Sequence, residues 1–178
     1  MEKVILKRTS RVLAGHPWIF SNELLESPKK YEPGCLVEVY DKKDIFVGIG
    51  YINPASLIAV RLLTRQRQEI NCDFLKKRII AAIDYRKKRL SDNTSFRAVY
   101  SEGDFLPGLI VDKYDKCVVV QILTLGMEML KDIIIEAIDN IMRPSVIVLR
   151  NDSQSRTLEG LAMEKEIIKG HINNLPHI

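Results

Sequence analysis

The spacing of apolar residues changes at residues 65–71 of this 178-residue chain. Before this point, short β-branched segments such as Leu36–Tyr40 are separated by turns, which is typical of a small barrel or sandwich. After it, apolar residues recur at helical spacing over residues 75–90. The polar run between the two patterns predicts two domains, residues 1–68 and residues 71–178.

The second domain is predicted to mix strands with helices. After the first helix, β-rich segments lie at residues 96–100, 109–111, 117–123 and 145–149, and one helical segment lies at 127–142. Residues 112–116 are predicted to form a turn, and the tail from residue 164 onward is weakly patterned. The predicted fold class is therefore α+β, with a small β-barrel followed by an α+β domain.

Charge is distributed unevenly between the two halves. Residues 1–90 carry a net charge of +8 and residues 91–178 a net charge of −4. The predicted helix at 75–90 is basic on its polar faces, which is typical of a solvated helix and also of an RNA contact. A basic first half favours binding of a polyanion, although charges that do not cluster in space would only solvate the surface.

The segment from Arg11 to Asn22 combines side chains suited to RNA. Gly15 and Pro17 end a short helix and place a glycine backbone beside an imidazole and an indole. Arginines and backbone amides bind phosphates, and flat rings stack on unpaired bases. The alternative for Trp18, which its size favours, is a core residue, because large aromatic side chains mostly contribute to burial. The predicted RNA-binding residues are Arg8, Arg11, Gly15, His16, Trp18, Asn22 and Arg61, with residues 86–89 as an extension.

A second segment, residues 102–112, clusters carboxylates beside two glycine turns. Glu102, Asp104 and Asp112 could position a substrate, bind another domain or perform acid–base chemistry. The alternative is a turn-rich hairpin whose acids are solvated.

Other kinds of site find little support in the sequence. The three histidines, His16, His171 and His177, show no metal-ligand spacing, and Gly48-Ile49-Gly50 lacks the third glycine of a nucleotide loop. We therefore predict no metal site. We also predict no membrane span, because the sequence has no run of eighteen uncharged apolar residues. Three well-separated cysteines fit neither a disulfide framework nor a zinc knuckle, which favours the cytoplasm.

Four motifs, taken together, resemble the RlmI-type methyltransferases, which modify cytosine C5 in large-subunit ribosomal RNA. Residues 15–22 resemble the opening of that family's PUA domain, and residues 53–61 resemble its last strands. Residues 102–112 resemble the signature of the central domain, and residues 150–161 resemble its end. The resemblance covers nearly all of the chain in the right order.

The resemblance implies RNA binding by the first domain and a linking role for the second. Family members continue into a domain that binds S-adenosylmethionine and holds the catalytic cysteine, and this chain ends where that domain is expected to begin. We therefore expect neither a catalytic residue nor a cofactor site here, with S-adenosylmethionine the cofactor of the full-length family. The residues expected at interdomain contacts are Glu102, Asp104, Asp112, Arg156 and Glu159.

Two other functions remain open at this point. The chain could be a free-standing RNA-binding or ribosome-assembly module, or a small enzyme that uses Glu102, Asp104 or Asp112. The expected partners are ribosomal RNA and either a methyltransferase domain or a second copy of the chain, joined through apolar surface after Leu149.

Overall fold

The computed structural model describes residues 1–90 and 94–171. Within these residues, ten strands form two five-stranded mixed sheets. The first sheet has the order β1-β3-β4-β5-β2, and only the β1–β3 pair is parallel in its described residues. Its strands are Glu2–Ile5 (β1), Trp18–Ile19 (β2), Leu36–Tyr40 (β3), Phe46–Ile52 (β4) and Val60–Thr64 (β5). A short helix, Ser10–Leu13 (α1), lies between β1 and β2.

The two edges of the first sheet are joined by the segment that follows β2. Lys7 N donates to Glu23 O at 2.8 Å, and Leu25 N donates to Ile5 O at 2.8 Å. The chain beyond β2 therefore pairs with the end of β1 and closes the ring of strands. Alternate residues of β3, Val37 and Val39, point into this small barrel and are fully buried.

The long helix α2, Cys72–Lys87, leads from the barrel to the second sheet. Its N-cap is Asn71, whose side-chain oxygen accepts a hydrogen bond from Phe74 N at 3.0 Å. Its buried face consists of Phe74, Leu75, Ile79, Ala82 and Ile83. Burying each large side chain of that face stabilises the fold by roughly 1.5–3 kcal/mol, which anchors α2 against the second sheet.

The second sheet has the order β10-β9-β8-β7-β6. Its strands are Ser95–Tyr100 (β6), Leu109–Tyr114 (β7), Cys117–Ile122 (β8), Val146–Asn151 (β9) and Glu164–Lys169 (β10). Its helices are Leu125–Met129 (α3), Lys131–Met142 (α4) and Ser155–Leu158 (α5). β8 and β9 are parallel and are connected through α3 and α4, while the other neighbours are antiparallel. The α+β fold class is confirmed.

Three local predictions for this half were wrong. Asp112 lies within β7, and the turn follows at Asp115, because the alternation of β7 continues through polar residues. The single helix predicted at 127–142 is two helices, which meet at Leu130. The weakly patterned tail contains β10, which lies at the sheet edge and has no buried residue. Residues 172–178, with His177, lie outside the described residues.

The barrel and the second sheet share one hydrophobic core. Ile49, Tyr51 and Leu63 of the barrel pack in the same cluster as the buried faces of α2, α4 and the second sheet. A separate cluster fills the barrel itself. The two halves are thus fixed against each other by apolar packing in addition to polar contacts.

Candidate nucleic-acid interface

The turn after α1 brings together the basic and aromatic residues of the first motif. Gly15 has φ +103°, a backbone conformation that favours glycine. The space around it is open, since a Cβ added there would meet nothing within 4 Å. Arg11 Nη2 lies 3.1 Å from His16 Nε2, and Trp18 N lies 3.2 Å from His16 Nδ1. A neutral imidazole accepts at one nitrogen only, so one of these contacts is a hydrogen bond in each tautomer.

The exposed residues of the turn can contact a large ligand. Arg8, Arg11, Gly15 and Asn22 are exposed, and His16 is half-buried. In the described residues, Arg8 has no ion-pair partner, while Arg11 lies 3.9 Å from Glu23. The turn therefore presents two guanidinium groups to solvent, which suits phosphate binding.

Trp18 contacts the second half of the molecule. Its Nε1 donates to Glu102 Oε1 at 2.8 Å, and its ring packs edge-on against His16 with 5.6 Å between centroids. The indole is half-buried. The sequence suggested either a core position or a free stacking surface for this indole. The structure places it instead at the contact between the halves.

A second polar contact between the halves is buried. Arg61 Nη1 lies 2.9 Å from Glu159 Oε1, and Asn53 Nδ2 donates to Glu159 Oε2 at 2.8 Å. The three residues are 8%, 5% and 1% exposed, respectively. Arg61 Nη1 makes an ion pair but no hydrogen bond of good direction. The predicted RNA contact of Arg61 stays a prediction, and its burial places the guanidinium away from a ligand on the surface.

The third contact is made by Tyr51, which is fully buried. Its hydroxyl donates to Pro107 O at 2.8 Å. The same hydroxyl lies 2.8 Å from Thr124 Oγ1. Burial raises the pKa of this phenol well above its ordinary value of 10.0. Gly126 lies against the ring so closely that an added Cβ would be 2.0 Å from Tyr51 Cγ.

The remaining predicted interdomain residues stabilise the second half itself. Asp104 accepts two hydrogen bonds from Arg86, from Nη1 to Oδ1 at 2.9 Å and from Nη2 to Oδ2 at 2.7 Å. Asp112 is bound by Arg97 in the same way, at 2.8 and 3.0 Å. Arg156 is 2% exposed and donates to the carbonyls of Ile122 and Ala162 and to Glu128. In this structure, Glu102 and Glu159 are thus the members of the predicted set that contact the first half.

A groove of about 700 Å³ runs between the turn after α1 and helix α2. It is lined by Gly15 and Pro17 of the turn, and by Lys77, Arg78 and Phe105 of the second half. Arg65 also lines the groove and donates to His16 O at 3.3 Å. The groove is therefore cationic and connects the first motif with α2.

Similarity to known proteins covers most of the chain. Residues 4–65 match a family of PUA-like domains. Ribosomal RNA large subunit methyltransferase I of Alteromonas mediterranea is 34% identical over 158 residues, which cover 87% of this chain and 40% of that protein. The enzyme of the same name from Photobacterium profundum is 37% identical over 161 residues, with the same coverage. The chain is related to the RlmI-type methyltransferases and contains a PUA-like domain.

Structural similarity agrees with this relationship at the level of the fold. A Streptococcus mutans protein assigned as a SAM-dependent methyltransferase superposes with a TM-score of 0.79 and 18% identity, over 99% of this chain and 44% of that protein. The chain spans about 40% of the length of the curated relatives that it matches.

Several residues at the contact of the PUA-like domain with the second sheet were not predicted. Tyr51 carries no local signal, because a tyrosine in a strand reads as an ordinary β residue. Asn53 precedes a proline and indicated only a break in the chain. Neither position could be assigned to the contact without knowing which elements of the second half lie opposite.

Other kinds of site are absent from the described residues. Among residues 1–90 and 94–171, no cluster of three or more histidine, cysteine or acidic side chains could hold a metal ion. In the same ranges, no helix is long and apolar enough to span a membrane. Apolar side chains after Leu149 are exposed at Leu158, Met163 and Ile167, and the self-association predicted through that region stays a prediction.

Proposed function

We propose that this chain is the RNA-binding and linking portion of an S-adenosylmethionine-dependent methyltransferase that modifies cytosine C5 of large-subunit ribosomal RNA. Residues 1–68 would bind the RNA, and residues 71–178 would fix this domain relative to the catalytic domain. The observation that carries the proposal is the relationship to the RlmI-type enzymes across both halves, including the PUA-like domain.

The rigid contact between the halves supports a linking role. Tyr51, Arg61 and Trp18 of the PUA-like domain each have a partner in the second half, and the two share a core. A domain that only tethered RNA could be attached through a flexible linker. A domain that aims one nucleotide at an active site needs a fixed orientation, because small misplacements lower the rate steeply.

The RNA surface that we propose consists of the turn after α1 and the adjoining groove. Arg8 and Arg11 would contact phosphates, while Gly15, His16 and Asn22 offer backbone and side-chain hydrogen bonds. Trp18 and Arg61 would act behind this surface by holding the turn and β5 against the second sheet, since their polar atoms already have partners there.

The described residues do not fit the methyl donor. Cofactors of α/β enzymes bind beyond the carboxyl ends of parallel strands, at a glycine-containing loop. The second sheet has one parallel pair, β8–β9, and helix α3, which follows β8, holds Gly126 near its start. That glycine is covered by the Tyr51 ring, so the position where a cofactor would sit is filled by the PUA-like domain. We therefore derive no step of methyl transfer from these residues.

The RNA-binding part is tested by a salt titration of the 178-residue chain with labelled fragments of large-subunit ribosomal RNA. Contact with about four phosphates gives a log–log slope near −3 for single strands. Arg8→Glu should weaken binding to all fragments similarly and reduce the slope, whereas Lys116→Glu, exposed on the β7–β8 turn, should not. An affinity independent of salt would contradict the proposal.

The methyltransferase part is tested in cells of the source organism. Deletion of the gene should remove 5-methylcytosine from one position of the large-subunit ribosomal RNA, and the gene restored in trans should return it. Unchanged methylation at every cytosine, measured by bisulfite sequencing, would leave a free-standing RNA-binding module as the function.

A further inference from the structure

Three large aromatic side chains are exposed on one side of the second half. Tyr85 of α2, Tyr100 at the end of β6 and Phe105 after it are 56%, 55% and 63% exposed. They line a common groove of about 500 Å³. Phe105 also borders the larger groove beside the turn after α1, so its ring stands between the two grooves. Exposed aromatic rings gathered at one place mark a binding surface.

The backbone holds Phe105 outward. Its φ is +58°, a left-handed conformation that is unfavourable for a bulky residue. The turn before it is fixed because Asp104 binds Arg86 and also accepts from Tyr100 N at 2.5 Å. A large apolar side chain held in solvent by a strained turn contributes little to stability, which indicates a role in binding.

Each of the three rings is paired with an arginine. Arg89 Cζ lies 3.8 Å from the centre of the Tyr85 ring. Arg78 Cζ lies 5.2 Å from the Phe105 ring, and Arg97 Cζ lies 5.3 Å from the Tyr100 ring. We call these six residues the aromatic–arginine face.

In the described residues, two of the three arginines of this face have no ion pair, whereas Arg97 is paired with Asp112. In the part of the chain that the structure describes, the ion pairs involve neither Arg78, Arg89 nor the neighbouring Lys77. The two nearby carboxylates Asp104 and Asp112 are already bound by Arg86 and Arg97. The face therefore has free positive charge beside flat apolar rings, which is complementary to a strand of phosphates and unstacked bases.

We propose that the aromatic–arginine face binds an unpaired segment of RNA, with bases stacked on Phe105, Tyr85 and Tyr100 and phosphates near Arg78 and Arg89. This inference rests on the proposed function and extends it, because the face lies outside the PUA-like domain and selects single-stranded over paired RNA. Bases within a duplex are stacked on one another and present no free face to such rings.

The test compares binding of a labelled 12-nucleotide single-stranded RNA of mixed sequence with binding of the same strand annealed to its complement. The 178-residue chain is used throughout, and a melting curve is recorded for each variant. Phe105→Ala and Tyr85→Ala should each weaken single-strand binding about 5- to 150-fold, the loss of one stacked base. Duplex binding should change less than twofold.

Three further variants separate stacking from other causes. Phe105→Leu keeps an apolar side chain but removes the ring, so it should weaken single-strand binding as strongly as Phe105→Ala. Ile45→Ala changes an equally exposed apolar residue in the β3–β4 turn and should have no effect. Arg89→Gln should reduce the salt slope by about 0.7, the contribution of one phosphate contact on a single strand.

The outcomes distinguish this inference from the proposed function. If the parent chain binds no RNA, both fail. If it binds RNA and the Phe105 and Tyr85 variants bind single strands within twofold of the parent, the inference alone is overturned. If Phe105→Leu binds RNA normally while Phe105→Ala lowers self-association in sedimentation, the face is a protein contact and the inference is likewise overturned.

Discussion

Trp18 and Glu102, 84 residues apart in sequence, are joined by a 2.8 Å hydrogen bond from the indole Nε1 to the carboxylate Oε1. The bond connects the two segments that stood out in the sequence for separate reasons. It places the first of them, with its exposed arginines, against the turn that holds Phe105 outward. Together with the buried contacts of Tyr51 and Arg61 and the shared core, this pair holds the proposed RNA surface of the PUA-like domain in a fixed relation to the aromatic–arginine face.

Replacing the indole should measure this bond. Trp18→Phe keeps an aromatic ring but removes the donor, which leaves a half-buried carboxylate oxygen without its partner. We expect the free energy of unfolding to fall by about 1–3 kcal/mol in urea titrations. Tyr85→Phe, which removes an exposed hydroxyl, is the matched control. The double variant Trp18→Phe/Glu102→Gln completes a double-mutant cycle. A coupling energy of zero, with the two single effects simply adding in the double variant, would show that the bond contributes nothing.

The buried pair of Arg61 and Glu159 should be far more sensitive than a surface pair. Glu159→Gln leaves the guanidinium buried without a counter-charge, so we expect a loss of about 3–5 kcal/mol in the free energy of unfolding. Asp44→Asn, which breaks an exposed pair with Lys3, should cost less than about 1 kcal/mol. Equal effects of the two substitutions would contradict the assignment of Arg61 to the contact between the halves.

The contact of Gly126 with Tyr51 should tolerate no side chain. Gly126→Ala places a methyl group 2.0 Å from the Tyr51 ring, so the ring must move away from Pro107 and Thr124. We expect a destabilisation of about 1–3 kcal/mol, seen as a lower melting temperature. Gly103→Ala is the control, because its added Cβ would come no closer than 3.7 Å to its neighbours. Equal melting temperatures of the two variants would argue against this contact.

Acid should weaken the end of the second sheet through Glu164. The hydrogen bond from Asn151, with the charges of Lys131 and Arg156, holds the pKa of this carboxyl below its ordinary value of 4.5. A lowered folded-state pKa gives stability that is present above pH 4.5 and is lost as the pH falls through the folded value. Between pH 5 and pH 3, the parent should therefore lose more stability than Glu164→Gln. Parallel curves of stability against pH would exclude this contribution.

The chain should not bind the methyl donor by itself. Titration with S-adenosylmethionine in a calorimeter should give no saturable heat, since Gly126 of α3, which follows β8, is covered by Tyr51. S-adenosylhomocysteine should behave in the same way. A stoichiometric isotherm in the micromolar range would place a cofactor site in these residues and require a different function for the second sheet.

Local elements were predictable because each depends on neighbours in the chain. The buried face of α2 follows from side chains three or four positions apart. The glycine stop at Gly15 follows from one residue's freedom to adopt positive φ. β10 was missed because an edge strand buries little, so the chain shows no apolar alternation there.

The candidate site was predictable only as separate parts. The sequence identified Glu102 and Glu159 as interdomain residues through the resemblance, and Trp18 and Arg61 as RNA contacts. The structure pairs these two groups with each other. The sequence offered no signal for the exposure of Phe105, because a phenylalanine beside a turn is normally expected to be buried.

By itself, the sequence determined the fold class, the closed set of short strands, the long basic helix and the relationship to the RlmI-type enzymes. Only the tertiary structure decided which charged side chains face solvent. Asn53 and Glu159 are 106 residues apart, yet Asn53 Nδ2 donates to both the backbone O and the side-chain Oε2 of Glu159. Periodicity reports which face of an element is apolar, whereas a buried polar group is satisfied by whichever partner the packing brings within about 3 Å. That partner depends on the placement of every element between them.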